Sequence, residues 1–253
     1  MKLYDLTQNT GVNTPPWPTY EPLQVKFFKR LTSNGANGQV ITTSNHVGTH
    51  LDGSLHFVTH GRDIASVPLD DLFGPGVVVD LSDMAEDYGF YSSRDIEKRV
   101  EVKPHDILII NTGYHKYGWD QPEADEVRYM CKHPGPSIEF AHWCMKKKIK
   151  WIGVDCGSAD HPMNTKIREW RPDLAEECAK KHGKSQDKLF PKDHYQLMHI
   201  VLFPHDIIHA ENLGGEIGKV LNRRLNIGIF PWKFLGGESA FARVVAFDDG
   251  SKI

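Results

Sequence analysis

HVGTHLDGSLHFVTH, residues 46–60, contains four of the 14 histidines in this 253-residue chain, together with one aspartate. His46 and His50 are four residues apart, so a helical turn would project both imidazoles from one face, whereas in a loop Gly48 would let the backbone bring them together. Two imidazoles and the carboxylate of Asp52 form a donor set that suits Zn²⁺, Mn²⁺ or Fe²⁺. The spacing therefore predicts a divalent metal site that keeps coordination positions open for water.

A second concentration of histidine lies in HYQLMHIVLFPHDIIHAENLGG, residues 194–215, where four histidines precede Glu211. The segment around Glu211 is apolar and strand-like, and burying a carboxylate there is costly unless it meets a cation or hydrogen-bond donors. We therefore predict that Glu211 is a metal ligand. The periodicity of the segment does not choose among its histidines, which are His194, His199, His205 and His209.

Short runs rich in β-branched residues dominate the rest of the chain and predict strands. They lie near residue 25 and at residues 39–44, 76–81, 106–112, 150–155, 206–212, 226–230 and 242–247. Fewer helices are predicted: one capped by Ser93, one capped by Ser137, and one with Pro172 early and Gly183 late. This mixed order favours one α/β domain with a central mixed, barrel-like β-sheet flanked by helices.

Length and composition are typical of a single globular domain over residues 1–253. The net charge of −3 lacks the basic surplus of proteins that bind nucleic acid or anionic membranes, so neither partner is expected. With no apolar signal or membrane-spanning run and no CxxC pair among four cysteines, we predict a cytoplasmic protein with free thiols. The charged segment 158–195 is predicted to be loop-rich and to form an insertion or a lid over a site.

HVGTHLDGSLHF, residues 46–57, resembles the His-x-Gly-Thr-His-x-Asp-x-Pro-x-His-Phe signature of the cyclase family of metal-dependent hydrolases, which includes bacterial kynurenine formamidase (arylformamidase) and isatin hydrolase. Supporting similarities are PPWP near the N-terminus, IGVDCGS at 152–158 and HAENLGG at 209–215. Ser54 stands where the family usually has proline, which makes the loop before His56 less rigid. The resemblance implies an α/β fold with a barrel-like β region and a homodimer or homotetramer.

The resemblance also implies a role for each residue of these motifs. His56 would be the catalytic acid and base. In the second segment, His194, His205 and His209 would be structural. One or two Zn or Mn ions per chain are expected. The metal ligands that the resemblance implies are His46, His50, Asp52, His199 and Glu211, with Asp52 and Glu211 placed to bridge two ions.

The predicted reaction is hydrolysis of a small amide, lactam, lactone or formamide, in which metal-activated water attacks the acyl carbon while His56 transfers the proton. Trp17, between two prolines, and Phe57, beside His56, are candidate walls of a pocket for a planar or aromatic substrate. The resemblance also implies that Trp17 could serve a neighbouring subunit.

Three other interpretations are open. Cys156 follows a predicted strand and stands beside Asp155, where an exposed thiolate would be the nucleophile of a cysteine-dependent amidohydrolase. A second is a non-catalytic metal-binding protein, although a structural zinc site usually has four ligands that commonly include cysteine. The third is an oxygenase with two histidines and one carboxylate on the metal.

Overall fold

Strands form the centre of the computed structural model, which describes residues 1–250. The strands of this part of the chain are β1 (Lys2–Asp5), β2 (Gln24–Lys29), β3 (Gly38–Thr42), β4 (His50–Asp52), β5 (Phe73–Asp80), β6 (Phe90–Tyr91), β7 (Ile107–Asn111), β8 (Gly135–Pro136), β9 (Trp151–Val154), β10 (Ile208–Glu211), β11 (Arg223–Pro231) and β12 (Ser239–Asp248). Seven of them close into a mixed barrel in the order β12, β11, β5, β7, β9, β10, β4, with β4 returning to β12. The expected single α/β fold with a barrel-like sheet is confirmed.

The direction of the strands divides the barrel into two parts. β5, β7, β9 and β10 run parallel to one another. Parallel neighbours need crossover connections, and helices provide them here. β4, β12 and β11 are antiparallel to their neighbours and close the barrel. β1 adds to the edge of β12, while β2 with β3 and β6 with β8 form separate two-stranded sheets.

Helices lie outside the barrel. The α-helices are α1 (Leu31–Asn34), α2 (Leu69–Leu72), α3 (Ser93–Glu97), α4 (Glu126–Cys131), α5 (Ile138–Lys147), α6 (Ile167–Trp170), α7 (Pro172–His182), α8 (Gln186–Leu189) and α9 (Leu197–Leu202). Short 3₁₀ turns occur at Ser54–His56, Ile64–Ser66, Tyr114–Tyr117, Pro162–Asn164, Lys192–His194, Phe203–His205 and Ile217–Lys219.

Two apolar clusters follow from the alternation of side chains along the barrel strands. One set fills the barrel interior, with Leu51, Ile109 and Ala210 completely buried. The other set lies on the outer face of β5, β7 and β9, where Ile110 and Ile152 pack beneath the helices. Because Leu51 of β4 and Ala210 of β10 point inwards, the residues on either side of each point outwards.

All eight predicted strands are confirmed, and the helices predicted after Ser137 and Pro172 are present as α5 and α7. Gly183 ends α7 in the left-handed conformation, with φ 59°. The predicted cap at Ser93 is wrong by one residue. Ser92 is the N-cap, because its backbone N–H and hydroxyl both donate to Asp95, three residues on, in a capping box.

The segment 158–195 differs from the loop-rich expectation, since it contains α6, α7 and α8. Its apolar residues Met163, Ile167 and Cys178 are at most 1% exposed and belong to the outer cluster. Of these helices α7 was predicted, whereas α6 and α8 have four residues each, too few for a helical period to be visible in the sequence. The assignment of the segment as an insertion or a lid stays a prediction.

The hairpin of β2 and β3 leaves several apolar side chains in solvent. Phe28, Val40 and Ile41 are 59%, 51% and 53% exposed. A lone two-stranded hairpin is marginally stable in water, so further burial of these side chains would stabilise it. The expected homo-oligomer stays a prediction, and this exposed hairpin supports it. Within residues 1–250, no helix combines the length and the apolar character needed to cross a membrane.

Two buried histidines make the fold sensitive to acid. Burial lowers the pKa of His133 to about 4 and that of His161 to about 3. On acidification, the unfolded chain therefore binds protons at these two histidines near pH 6.5, before the folded chain does. The free energy of unfolding is highest above that pH and falls as the pH drops towards 4. We expect the free energy of unfolding of the metal-free protein to fall by about 2 to 3 kcal/mol for His133 alone over this range.

Urea unfolding at pH 7, 5.5 and 4.5 measures this dependence. His133→Asn keeps a donor near the Pro134 carbonyl, which accepts from His133 Nδ1 at 2.9 Å, but does not titrate in this range. The variant should show a shallower fall in stability than the unmodified protein. Equal slopes for the two proteins would contradict the assignment of this acid sensitivity to His133.

Candidate metal centre

β4 lies between β10 and β12, and its pairing brings distant polar residues together. His50 is paired with Glu211, and Asp52 is paired with His209 on β10 and with Ser239 on β12. All five residues are buried. Because the residues between them fill the barrel interior, alternation places these side chains on the outer face of the barrel, facing α9.

Gly48 decides how His46 reaches this face. Its φ of 64° is left-handed, and a Cβ at this position would collide with the side chain of Thr10. Residues 46–49 are therefore a loop rather than a helical turn, which settles the two possibilities left by the spacing. The loop brings Nδ1 of His46 to 3.2 Å from Nε2 of His50.

Three donor atoms form a compact triangle at the start of β4. His46 Nδ1, His50 Nε2 and Asp52 Oδ1 lie 3.1 to 3.2 Å from one another. His50 Nδ1 donates to the Gly48 carbonyl at 2.8 Å, which leaves Nε2 as the lone-pair atom of the neutral ring. Ligand atoms about 2.0 to 2.1 Å from a tetrahedral metal are themselves about 3.3 Å apart, so the triangle has the dimensions of a metal-binding set.

A second set of donor atoms faces the other oxygen of Asp52. His199 Nε2, on α9, lies 3.8 Å from Asp52 Oδ2 and 3.8 Å from Glu211 Oε1. His199 Nδ1 donates to Asp160 at 2.7 Å, which directs Nε2 towards these carboxylates. Glu211 Oε1 is fixed by the backbone N–H of Ala159 at 2.7 Å. Asp52 thus presents one oxygen to each set, as a bridging carboxylate does.

The electrostatics of Asp52 test whether these residues fit a metal ion. Both of its oxygens are buried and lack a hydrogen-bond partner among the described residues. Burial raises the pKa of Asp52, but His46 and His50 outweigh it and hold that pKa well below its usual range. Burial lowers the pKa of His46, yet Asp52 and Glu238 raise it to about 10. Asp52 therefore requires a neighbouring cation. A metal ion that displaces the protons of His46 and His50 meets this requirement.

His56 and Glu238 are in hydrogen-bond contact beside the triangle. Oε2 of Glu238 lies 2.6 Å from His56 Nδ1 and 3.0 Å from His46 Nε2. Burial raises the pKa of Glu238, but the hydrogen bonds from the two imidazoles outweigh it and hold that pKa well below its usual range. Glu238 was not predicted, and its place directly before β12 carries no motif that would have identified it.

A small cavity of about 40 Å³ opens over both sets of donor atoms. Trp17 and Phe57, the two predicted pocket residues, both line it, together with Tyr20. The Trp17 backbone N–H donates to the His46 carbonyl at 2.9 Å, so this tryptophan lies at the cavity of its own chain. His56 also lines the cavity, beside the ring of Phe57.

The remaining candidates from the sequence lie in different places. Cys156 is 2% exposed, and burial raises the pKa of its thiol well above the usual range, so the exposed thiolate of the cysteine-dependent alternative is absent. His194 and His205 lie away from the two sets of donor atoms, and His205 is exposed. His209 faces the site, and its structural role stays a prediction.

Comparison with known proteins shows which sequences this chain is similar to. The family model Cyclase, described as "Putative cyclase", matches residues 4–161. The kynurenine formamidase of Bacillus cereus is 26% identical over 163 residues, which cover 64% of this chain and 71% of that protein. The kynurenine formamidase of Geobacillus thermodenitrificans is 26% identical over 165 residues, with the same coverage.

Solved structures share the fold over almost the whole chain. Isatin hydrolase A from Ralstonia solanacearum has a TM-score of 0.75 at 17% identity, covering 97% of this chain and 91% of its own. A protein described as a potential metal-dependent hydrolase with cyclase activity has a TM-score of 0.68 at 21% identity, covering 99% of both chains. Because the family model spans more than half of its length, the chain belongs to the cyclase family.

Proposed function

We propose that this member of the cyclase family is a metal-dependent hydrolase that cleaves the acyl C–N bond of a small amide, lactam or formamide, or the acyl C–O bond of a lactone. The proposal depends on Asp52, whose two buried oxygens lack hydrogen-bond partners. One oxygen faces the imidazoles of His46 and His50, and the other faces the imidazole of His199. A buried carboxylate in this setting needs a cation. His46 and His50 would hold a divalent ion on one side of Asp52, and His199 with Glu211 would hold one on the other.

Zinc and manganese both suit these donors. Imidazole binds zinc well, carboxylate oxygens suit manganese, and the described residues place no cysteine thiolate in the site. Two groups of donor atoms on opposite oxygens of Asp52 support two ion positions rather than one. We therefore propose one or two Zn or Mn ions per chain, with two as the full complement.

An amide is the favoured substrate class. The names of the relatives, kynurenine formamidase and isatin hydrolase, support it. Trp17, Tyr20 and Phe57 line the cavity and favour a planar or aromatic group. A volume of about 40 Å³ suits the reacting acyl group, so the rest of an aryl amide would extend through the mouth of the cavity.

The residues around the cavity support a division of chemical roles. A bound divalent metal ion supplies a nucleophile at neutral pH, because it lowers the pKa of water towards about 7. His56 would accept the proton at Nε2, since Glu238 holds its Nδ1, and would return that proton to the leaving nitrogen. Glu238 would orient the ring and stabilise its protonated form, as a carboxylate does beside a catalytic histidine.

The proposal is tested by removing the metal. The purified protein should contain one or two equivalents of Zn or Mn by elemental analysis, and should hydrolyse N-formylkynurenine or isatin. Dialysis against a chelator should reduce hydrolysis to the background rate, and re-addition of either metal should restore it. Hydrolysis that persists in a metal-free sample would refute the proposal.

The same samples separate the alternatives. A metal-replete protein that is inactive on amides, lactams, lactones and formamides would be a non-catalytic metal binder. Oxygen uptake on addition of substrate would identify an oxygenase, for which two histidines and one carboxylate are the usual ligands. Hydrolysis without oxygen uptake is the result that we expect.

A further inference from the structure

His209 is a buried histidine without a hydrogen-bond partner. It is completely buried on β10, and neither ring nitrogen has a partner among the described residues. Burying a polar ring without partners costs free energy, whereas leucine at the same position would fill the space at no such cost. The position therefore requires an explanation beyond packing.

The register of the sheet directs His209 towards the site. His209 and Glu211 are two residues apart on β10, so both side chains lie on the outer face of the barrel. On that face His209 is directly opposite Asp52 of β4. Its ring is 5.0 Å from the ring of His199 and 4.6 Å from that of Phe203, measured between centroids.

These contacts place a nitrogen of His209 among the second set of donor atoms. One ligand atom from each of His199, His209 and Glu211 lies within 4.8 Å of the other two. That spacing is within reach of a single ion after small side-chain rotations, because metal–ligand bonds are about 2.0 to 2.2 Å long. His209 does not line the cavity, so it would approach the ion from the side of the barrel.

We propose that His209 is the fourth protein ligand of the ion position formed by Asp52, His199 and Glu211. This inference rests on the metal dependence proposed above. With His209, the position at Asp52, His199 and Glu211 would have four protein ligands, the number typical of a tetrahedral site. Glu211 Oε2 also lies 3.8 Å from His50 Nε2, so the same carboxylate faces the position at His46, His50 and Asp52.

Four protein ligands predict a role for the position that includes His209. It would retain its ion tightly and hold the carboxylate of Asp52 in place. The two carboxylates, Asp52 and Glu211, are buried and offset half of the charge of two divalent ions, while the neutral imidazoles add no charge of their own.

Metal content tests this proposal without relying on activity. The metal-loaded protein, His209→Leu, His209→Asn and the control His205→Leu would be dialysed against graded chelator and analysed for metal. His205 is exposed and lies four residues before His209, so its variant controls for the loss of a nearby histidine. Thermal melting would confirm that each variant folds, and asparagine retains an oxygen that can act as a weak ligand.

We expect two equivalents of metal per chain in the unmodified protein and in the control, but one equivalent in His209→Leu. The affinity of His209→Leu for the second ion should be lowered by about ten-fold or more. His209→Asn should fall between them. Two ions with unchanged affinity in both His209 variants would refute the inference. A single ion in the unmodified protein would refute it while leaving the hydrolase proposal intact, and a protein that binds no metal would refute both.

Discussion

Replacing Asp52 with asparagine should remove both metal binding and hydrolysis. The amide has nearly the shape of the carboxylate, but it is neutral and cannot bridge two cations through two anionic oxygens. Asp52 Oδ1 faces His46 and His50, and Oδ2 faces His199, so one substitution weakens both positions. We expect both ions to be lost on dialysis and kcat/KM to fall by more than about 10³-fold, measured by elemental analysis and hydrolysis of N-formylkynurenine or isatin.

Asp70→Asn is the matched control for this experiment. Asp70 is exposed on α2 and outside the cavity, so its variant should keep the metal content and the activity of the unmodified protein. Thermal melting of the metal-free proteins would show whether Asp52→Asn folds. An Asp52→Asn protein that binds two ions with normal affinity would contradict the bridging role, whatever its activity.

Much of the barrel was predictable because the sequences of several strands are apolar enough to indicate that they are buried. β5, β7 and β9 are buried runs rich in valine and isoleucine, which local propensity identifies. β4 could not be predicted in this way, since its three residues include only one apolar side chain. It becomes a strand because β10 and β12 pair with it on both sides, and those partners lie far away in the sequence.

The site was predictable where its residues share one motif, or where a carboxylate stands in an apolar run as Glu211 does. The spacing of His46, His50 and Asp52 is visible in one motif, and their donor atoms do form one triangle. Asp160 and Glu238 were missed because they meet the site through tertiary contacts with His199 and His56 that no local spacing encodes. Their roles in directing the two imidazoles follow from the folded structure alone.

His209 is a different case, because strand periodicity contained the missing information. β10 was predicted as a strand, and Glu211 was predicted to be a ligand. Two residues apart on a strand, His209 and Glu211 must share a face. Applying that alternation would have predicted that His209 faces the same side of the strand as Glu211.

Replacing His56 with glutamine should abolish most of the activity while leaving the metal in place. The ring lies at the cavity with its Nδ1 held by Glu238, so Nε2 is the atom available for proton transfer. Loss of a general acid and base typically costs about 10² to 10⁴-fold in rate. We expect kcat to fall by this factor, with the metal content unchanged.

Metal content distinguishes this role from that of a ligand, because one ring nitrogen of His56 also lies within 4.8 Å of the donor atoms of His46 and Asp52. If His56→Gln loses an ion, His56 is a ligand and the proton must be transferred by another group. Glu238→Gln should have a smaller effect than His56→Gln, because the amide still accepts a hydrogen bond from Nδ1 but no longer stabilises the protonated ring. His60→Asn is the control: His60 is exposed at φ 69°, a conformation that asparagine tolerates, and this variant should retain normal rates.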